Sequence, residues 1–362
     1  MKRSLLFLVP SIALTLAVAC GDSSPSTNPP DPGGSSGTPG SSGTPGSSGT
    51  PGSSGTPGSS GTPPPPPGGK DGGASGIKTV FVVMMENHSW GTIKNAGKSA
   101  TYINGLATTG GHAEAYSTPA GNHPSEPNYV WLEAGDNLGI TDDNPPSSNH
   151  QSTKDHLTAQ LDAKGITWKA YSEGITAGKC PLTASGLYDP KHTPQLFFDD
   201  VTDTNSATSA NCIAHVVPYT QLDADIAANT VPRYAFITPN LCNDMHGETF
   251  GANCGLGTDT IKLGNDWLAV QIPKIQASKA YTDNGVIFIV WDEGDPKGFP
   301  PTSEDGPIPF FVLSPLAKPG YVLNTKVTHS ALLRTIETIF GVPFLRGAQT
   351  APDLSEMFTS FP

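Results

Sequence analysis

The chain has 362 residues, a formal net charge of −12, and unusually many small or rigid residues, with 41 Gly and 36 Pro. The negative balance removes electrostatic support for a nucleic-acid partner. Once the low-complexity N-terminal part is set aside, the length suits one large α/β domain with a sizeable core.

Met1-Lys2-Arg3 gives a positive start, Leu5 to Ala19 an apolar run, and Ala17-Val18-Ala19-Cys20-Gly21 a cleavage site. Residues 1–19 therefore read as a secretory signal, too short and wrongly flanked for a membrane span. Ala17-Val18-Ala19 fits ordinary signal peptidase. Leu16-Ala17-Val18-Ala19-Cys20 resembles a bacterial lipobox with its leucine one place early, and lipid attachment at Cys20 is the preferred reading. Residues 20–76 are Ser, Gly, Thr and Pro, with Ser35-Ser36-Gly37-Thr38-Pro39-Gly40 repeated in tandem. Such a segment has no apolar face to stack, so it reads as a disordered tether with a reach of about 40 Å. The expectation is an exported, membrane-anchored lipoprotein, with plain secretion as the alternative.

Residues 77–362 carry the globular pattern. Thr79 to Met85 is apolar without alternation, the mark of a strand covered on both faces, and it ends on Glu86 and Asn87. A helix follows over Thr101 to Thr108. Pro127 suits the first turn of another, placing Ser125 at or just before its N-terminus. Ser152 to Lys164 reads as an amphipathic helix and Ile166 to Tyr171 as a strand. Tyr219 to Asn229 reads as a helix and Arg233 to Thr238 as a strand running towards Asp244 and His246. Asp266 to Ser278 reads as a long helix burying Trp267, Leu268, Val270, Ile272 and Ile275. Val286 to Trp291 is a second apolar strand, ending on Asp292 and Glu293. Pro309 to Ser314 is a further strand, and His329 to Phe340 a closing helix. Strands alternating with helices predict a mainly parallel central sheet with helices on both faces.

Cys20 aside, Cys180, Cys212, Cys242 and Cys254 form an even set, which in an exported domain implies two disulfides. Three connectivities are open; the sequential one closes the shortest loops. The competing zinc site lacks a C-x-x-C pair.

Parallel strands gather their carboxyl ends on one edge, where open α/β sheets bind ligands. Glu86, Asn87, Asp244, His246, Asp292 and Glu293 can converge there, and carboxylates with an amide oxygen suit a hard divalent metal ion. Against this, an acidic pair after a strand is usually a solvated loop. Ser125 is the candidate nucleophile, because a helix N-terminus offers N–H donors and a positive dipole end to a phosphate. A plain helix cap explains it equally well by spacing. Asp244 could orient His246, hold metal or cap a turn.

MENHSW, HPSEPNY, YDPKHTP, NLCNDMHG, IVWDEG and HSALLRTIETIFGVP occur in this order. Together they resemble the bacterial phosphoesterase family of secreted acid phosphatases and phospholipases C, within the alkaline-phosphatase-like superfamily. The resemblance implies metal ligation by Glu86, Asn87, Ser125, Asp292 and Glu293, with Ser125 also the nucleophile. It implies that His192 and His246, with His123, donate to phosphoryl oxygens, that Asn128 binds substrate, and that Asp244 supports catalysis. His88, His112, His150 and His156 are left as surface or loop residues, and His329 as a cap or packing residue.

The implied reaction is metal-dependent hydrolysis of a small phosphate monoester through phosphoserine, with an acidic optimum if the histidines act as charged donors. A phospholipase C is the runner-up; that group generally carries extra C-terminal domains, whereas this chain stops at Pro362. A sulfatase would need Cys or Ser followed by x-Pro-x-Arg, and Tyr129 stands where the arginine belongs. Outside enzymes, a non-catalytic phosphate-binding surface lipoprotein fits the same features.

Overall fold

A computed structural model describes residues 76–247, 254–255, 257–297, 302–303 and 306–362. The expected signal, the expected lipid site Cys20 and the expected tether, up to residue 75, lie outside the described residues. Eight strands form the central sheet. They are β1 Thr79–Met85, β2 Gly111–Ala113, β3 Trp168–Ser172, β4 Val216–Pro218, β5 Tyr234–Thr238, β6 Gly285–Trp291, β7 Phe310–Leu313 and β8 Val322–Leu323. Their order is β8-β2-β7-β6-β1-β5-β3-β4. From β6 through β4 every pairing is parallel. β7 runs antiparallel to both β6 and β2. The mainly parallel α/β fold expected from the sequence is what forms.

β1 and β6 lie in mid-sheet and bury all seven of their residues, which is why both read as unbroken apolar runs. The principal helices are α1 Thr101–Thr109, α2 Ser125–Ala134, α3 Leu157–Ala163, α4 Thr220–Ala228, α5 Thr260–Gln276 and α6 His329–Phe340. α6 is capped by Thr328, whose side chain accepts from the Ser330 amide, and is ended by Gly341 at φ 64°. Its buried face, including Leu332, Leu333, Ile336 and Phe340, packs against α2. Each such side chain fully removed from water contributes about 1.5–3 kcal/mol. Among the described residues no helix is long and apolar enough to cross a membrane.

Three local expectations are corrected. α3 begins at Leu157 rather than Ser152, because His156 is held in extended conformation as its N-cap. α5 begins at Thr260, six residues before Asp266, since the Asp259 side chain accepts from the Lys262 amide. Glycine and asparagine in its first two turns hide that start from propensity. Val270 on α5 is 58% exposed, not buried. Asp266 itself pairs on the surface with Lys262. The disulfides are Cys180–Cys212 and Cys242–Cys254, the sequential connectivity.

Candidate active site

β1 and β6 end in register, Met85 opposite Trp291, so Glu86 and Asp292 leave the sheet side by side. The Asp292 amide donates to the Met85 carbonyl at 2.9 Å. Asn87 turns the chain at φ 52°, and its amide donates to Asp292 Oδ1 at 3.0 Å. On the other flank the Glu86 amide donates to the Asp244 carbonyl at 2.8 Å, drawing in the segment that follows β5. The three strand ends singled out in the sequence do converge. Ser125 is the first residue of α2, and its hydroxyl donates to Glu86 Oε2 at 3.2 Å. Tyr129, one turn on and so on the same face, donates to Glu86 Oε1 at 2.5 Å.

Glu86, Asp244 and Asp292 are each 0% exposed. Burial, then the negative charges of Asp292 and Asp244, push the Glu86 carboxyl well above its ordinary range. Burial likewise raises Asp244 strongly, and burial with Glu293 beside it raises Asp292 to about 7. Asp244 Oδ2 and Asp292 Oδ2 have no hydrogen-bond partner among the described residues. Buried carboxylates with idle oxygens are what a cation site requires. Glu86, His192 and His246 moreover offer ligand atoms within 4.8 Å of one another. The donor set thus fits a divalent ion.

His192 stacks on Tyr129 at 5.0 Å, with Nδ1 3.3 Å from Asp244 Oδ2. Its Nε2 is 3.2 Å from Glu86 Oε1 but out of line for a hydrogen bond. Burial, with the positive charge of Lys191 beside it, holds His192 well below the usual imidazole range; the same causes bring His246 to about 4. Both shifts favour the neutral ring.

His123, Asn128 and Glu293 form a second set beside Ser125. His123 Nδ1 lies 2.8 Å from Glu293 Oε2, which Asn128 Nδ2 also reaches at 3.5 Å. Asn128 Nδ2 further donates to the Asn122 and Pro124 carbonyls at 3.0 and 3.2 Å, fixing the approach to Ser125. Of the roles left open for Asp244, one is visible: its Oδ1 accepts from the His246 amide at 2.7 Å and so caps that turn.

Several supporting residues escaped the sequence reading. His329 Nε2 lies 2.8 Å from the Asp292 carbonyl, an acceptor only, so Nε2 carries the proton and Nδ1 accepts from the Tyr116 hydroxyl at 3.0 Å. Asn265 is buried, and its Oδ1 accepts from the Tyr102 and Ile103 amides at the start of α1. Gly264 lets α5 approach the Asp244 segment: a Cβ there would lie 2.5 Å from two Met245 side-chain atoms. His156, taken from the sequence as a surface residue, is 0% exposed. Neither its spacing nor its neighbours in sequence signal that burial.

The mainly parallel sheet with its flanking helices resembles the fold of solved proteins of the alkaline phosphatase superfamily. A member from Vibrio parahaemolyticus superposes with a TM-score of 0.51 at 9% identity, over 78% of this chain and 72% of that one. That likeness concerns the fold alone. Residues 94–343 match the phosphoesterase family, and the chain belongs to it. It is a hydrolase of phosphoric esters. It is 30% identical over 280 residues to a phosphatidylinositol-3-phosphatase of Mycobacterium tuberculosis, covering 77% of this chain and 82% of that protein. It is 25% identical over 231 residues to a phosphate-repressible acid phosphatase of Penicillium chrysogenum. The match covers 62% of this chain but only 51% of that fungal protein.

Proposed function

We propose that the protein hydrolyses phosphate monoesters in a metal-dependent double displacement on Ser125. The observation that carries this reading is the buried serine at a helix N-terminus, beside three buried carboxylates, two of which, Asp244 and Asp292, keep an oxygen without a partner among the described residues. Glu86, Asn87, Ser125, Asp292 and Glu293 would hold a divalent cation, which when bound supplies positive charge and lowers the pKa of the serine hydroxyl. The Ser125 hydroxyl already donates to Glu86 Oε2, so its proton has an acceptor as Oγ approaches phosphorus. The Oγ–P bond forms as the ester P–O bond breaks, leaving phosphoserine that water hydrolyses. Amides at the start of α2, with His192, His246 and His123, donate to the equatorial oxygens, and Asn128 orients the bound group. The relatives named acid phosphatase and phosphatidylinositol-3-phosphatase support monoesters over phospholipase C substrates.

Residues 1–19 as signal, Cys20 as lipid site and 20–76 as tether complete the proposal, with 77–362 as the catalytic domain held at a membrane. Two disulfides support an oxidising compartment. The test is p-nitrophenyl phosphate hydrolysis by wild type and Ser125→Ala, with and without chelator. Full turnover by Ser125→Ala, or no effect of chelation followed by metal add-back, overturns the mechanism.

A further inference from the structure

Lys191 follows Asp189-Pro190 in a tight turn and is only 7% exposed, rare for a lysine. Its ammonium donates to Asp143 Oδ2 at 2.9 Å. The other oxygen of that carboxylate accepts from the amide of Glu126, the neighbour of Ser125, at 3.0 Å. Lys191 Nζ also lies 3.3 Å from His246 Nε2. An ammonium has only protons to offer, so Nε2 must present its lone pair, and the neutral ring then carries its proton on Nδ1. That Nδ1 is buried and without a partner among the described residues. The opposite tautomer would set two donors face to face.

We propose that Lys191, anchored by Asp143, fixes His246 as the tautomer whose Nδ1–H is free for a phosphoryl oxygen, making both positioning residues. The chain Glu126 amide–Asp143–Lys191–His246 then ties that donor to the helix start that carries the nucleophile. With Nδ1 protonated and the Nε2 lone pair turned to Lys191, His246 has no lone pair left for a cation, so it leaves the group it could form with Glu86 and His192. This inference rests on the reading of His246 as a substrate donor, yet its ring state can be measured without turnover.

The experiment uses full-length protein with ¹⁵N-labelled histidine, the His246 ring being identified by its loss in His246→Gln. Two-bond correlations should place the proton on Nδ1, and Lys191→Met should produce a mixture of tautomers while Lys191→Arg restores the Nδ1–H form. Nε2–H in the wild type overturns the inference. With p-nitrophenyl phosphate, Lys191→Met should lower kcat with little change in KM, by up to the ~10²–10³-fold that loss of one transition-state hydrogen-bond donor costs; unchanged kcat overturns it. Zn²⁺ bound per protein should be unchanged in His246→Gln, and its loss there overturns it too. Should Ser125→Ala prove active while the wild-type ring still shows Nδ1–H, the phosphoserine reading fails and the tautomer assignment stands.

Discussion

The end of α2 opposite Ser125 is anchored by a buried charge that makes stability depend on pH. Glu133, on α2, faces His156 Nδ1 at 3.0 Å, while Asp200 faces Nε2 at 3.0 Å. Glu133 also accepts from the Thr158 amide and Gln195, and Phe198 stacks on the imidazole at 4.0 Å. Carboxylates on both nitrogens demand two N–H donors, hence an imidazolium. Burial alone would lower its pKa, but the hydrogen bonds to Asp200 and Glu133 outweigh it and raise it to about 9. Against an unfolded value near ~6.5, that difference is roughly 3 kcal/mol at about 1.4 kcal/mol per unit. Because the folded value is the higher, the contribution is complete below about pH 6.5 and is lost as pH rises through about 9. Urea denaturation of the wild type at pH 6 and pH 9.5 should show that loss. Other raised groups, such as Glu337 at about 8, drift in the same direction, so the decisive quantity is the difference from His156→Gln. The variant should be less stable at pH 6 and should lose markedly less on going to pH 9.5. Equal losses in the two proteins would refute the ion-pair argument.

Glu86→Ala should abolish turnover and reduce bound divalent metal while far-ultraviolet circular dichroism stays native; full activity would remove Glu86 from the site. Replacing the Cys242–Cys254 pair by serines frees a loop of 12 residues and should cost about 3 kcal/mol, read by urea titration. Because that bridge closes beside Asp244 and His246, kcat should fall as well. Gly264→Val should displace Met245 and lower both Tm and kcat, whereas Gly91→Ala, with nothing within 4 Å, should leave kcat unchanged. Steady-state kinetics and thermal melts on the two variants check this.

What the chain could declare locally, it did. The unbroken apolar runs of β1 and β6 are legible because a strand buried on both faces needs no polar alternation, and Glu86-Asn87 and Asp292-Glu293 stand out as the first polar residues after them. Pro127 marks the helix start that presents Ser125, and the ordered motifs carry the family resemblance. Long-range partners were illegible. His156 and His150 look alike in sequence, yet one is buried between two carboxylates and the other is exposed, because the residues that meet His156 come from α2 and from the segment around Asp200. Lys191 reads as an ordinary surface lysine until Asp143 and His246, 48 and 55 residues away, fold onto it. Hydrophobic periodicity is written along the chain. The environment of a buried polar group is not, because burial is tolerable only where distant residues supply charge and hydrogen bonds, and only the tertiary structure brings them there.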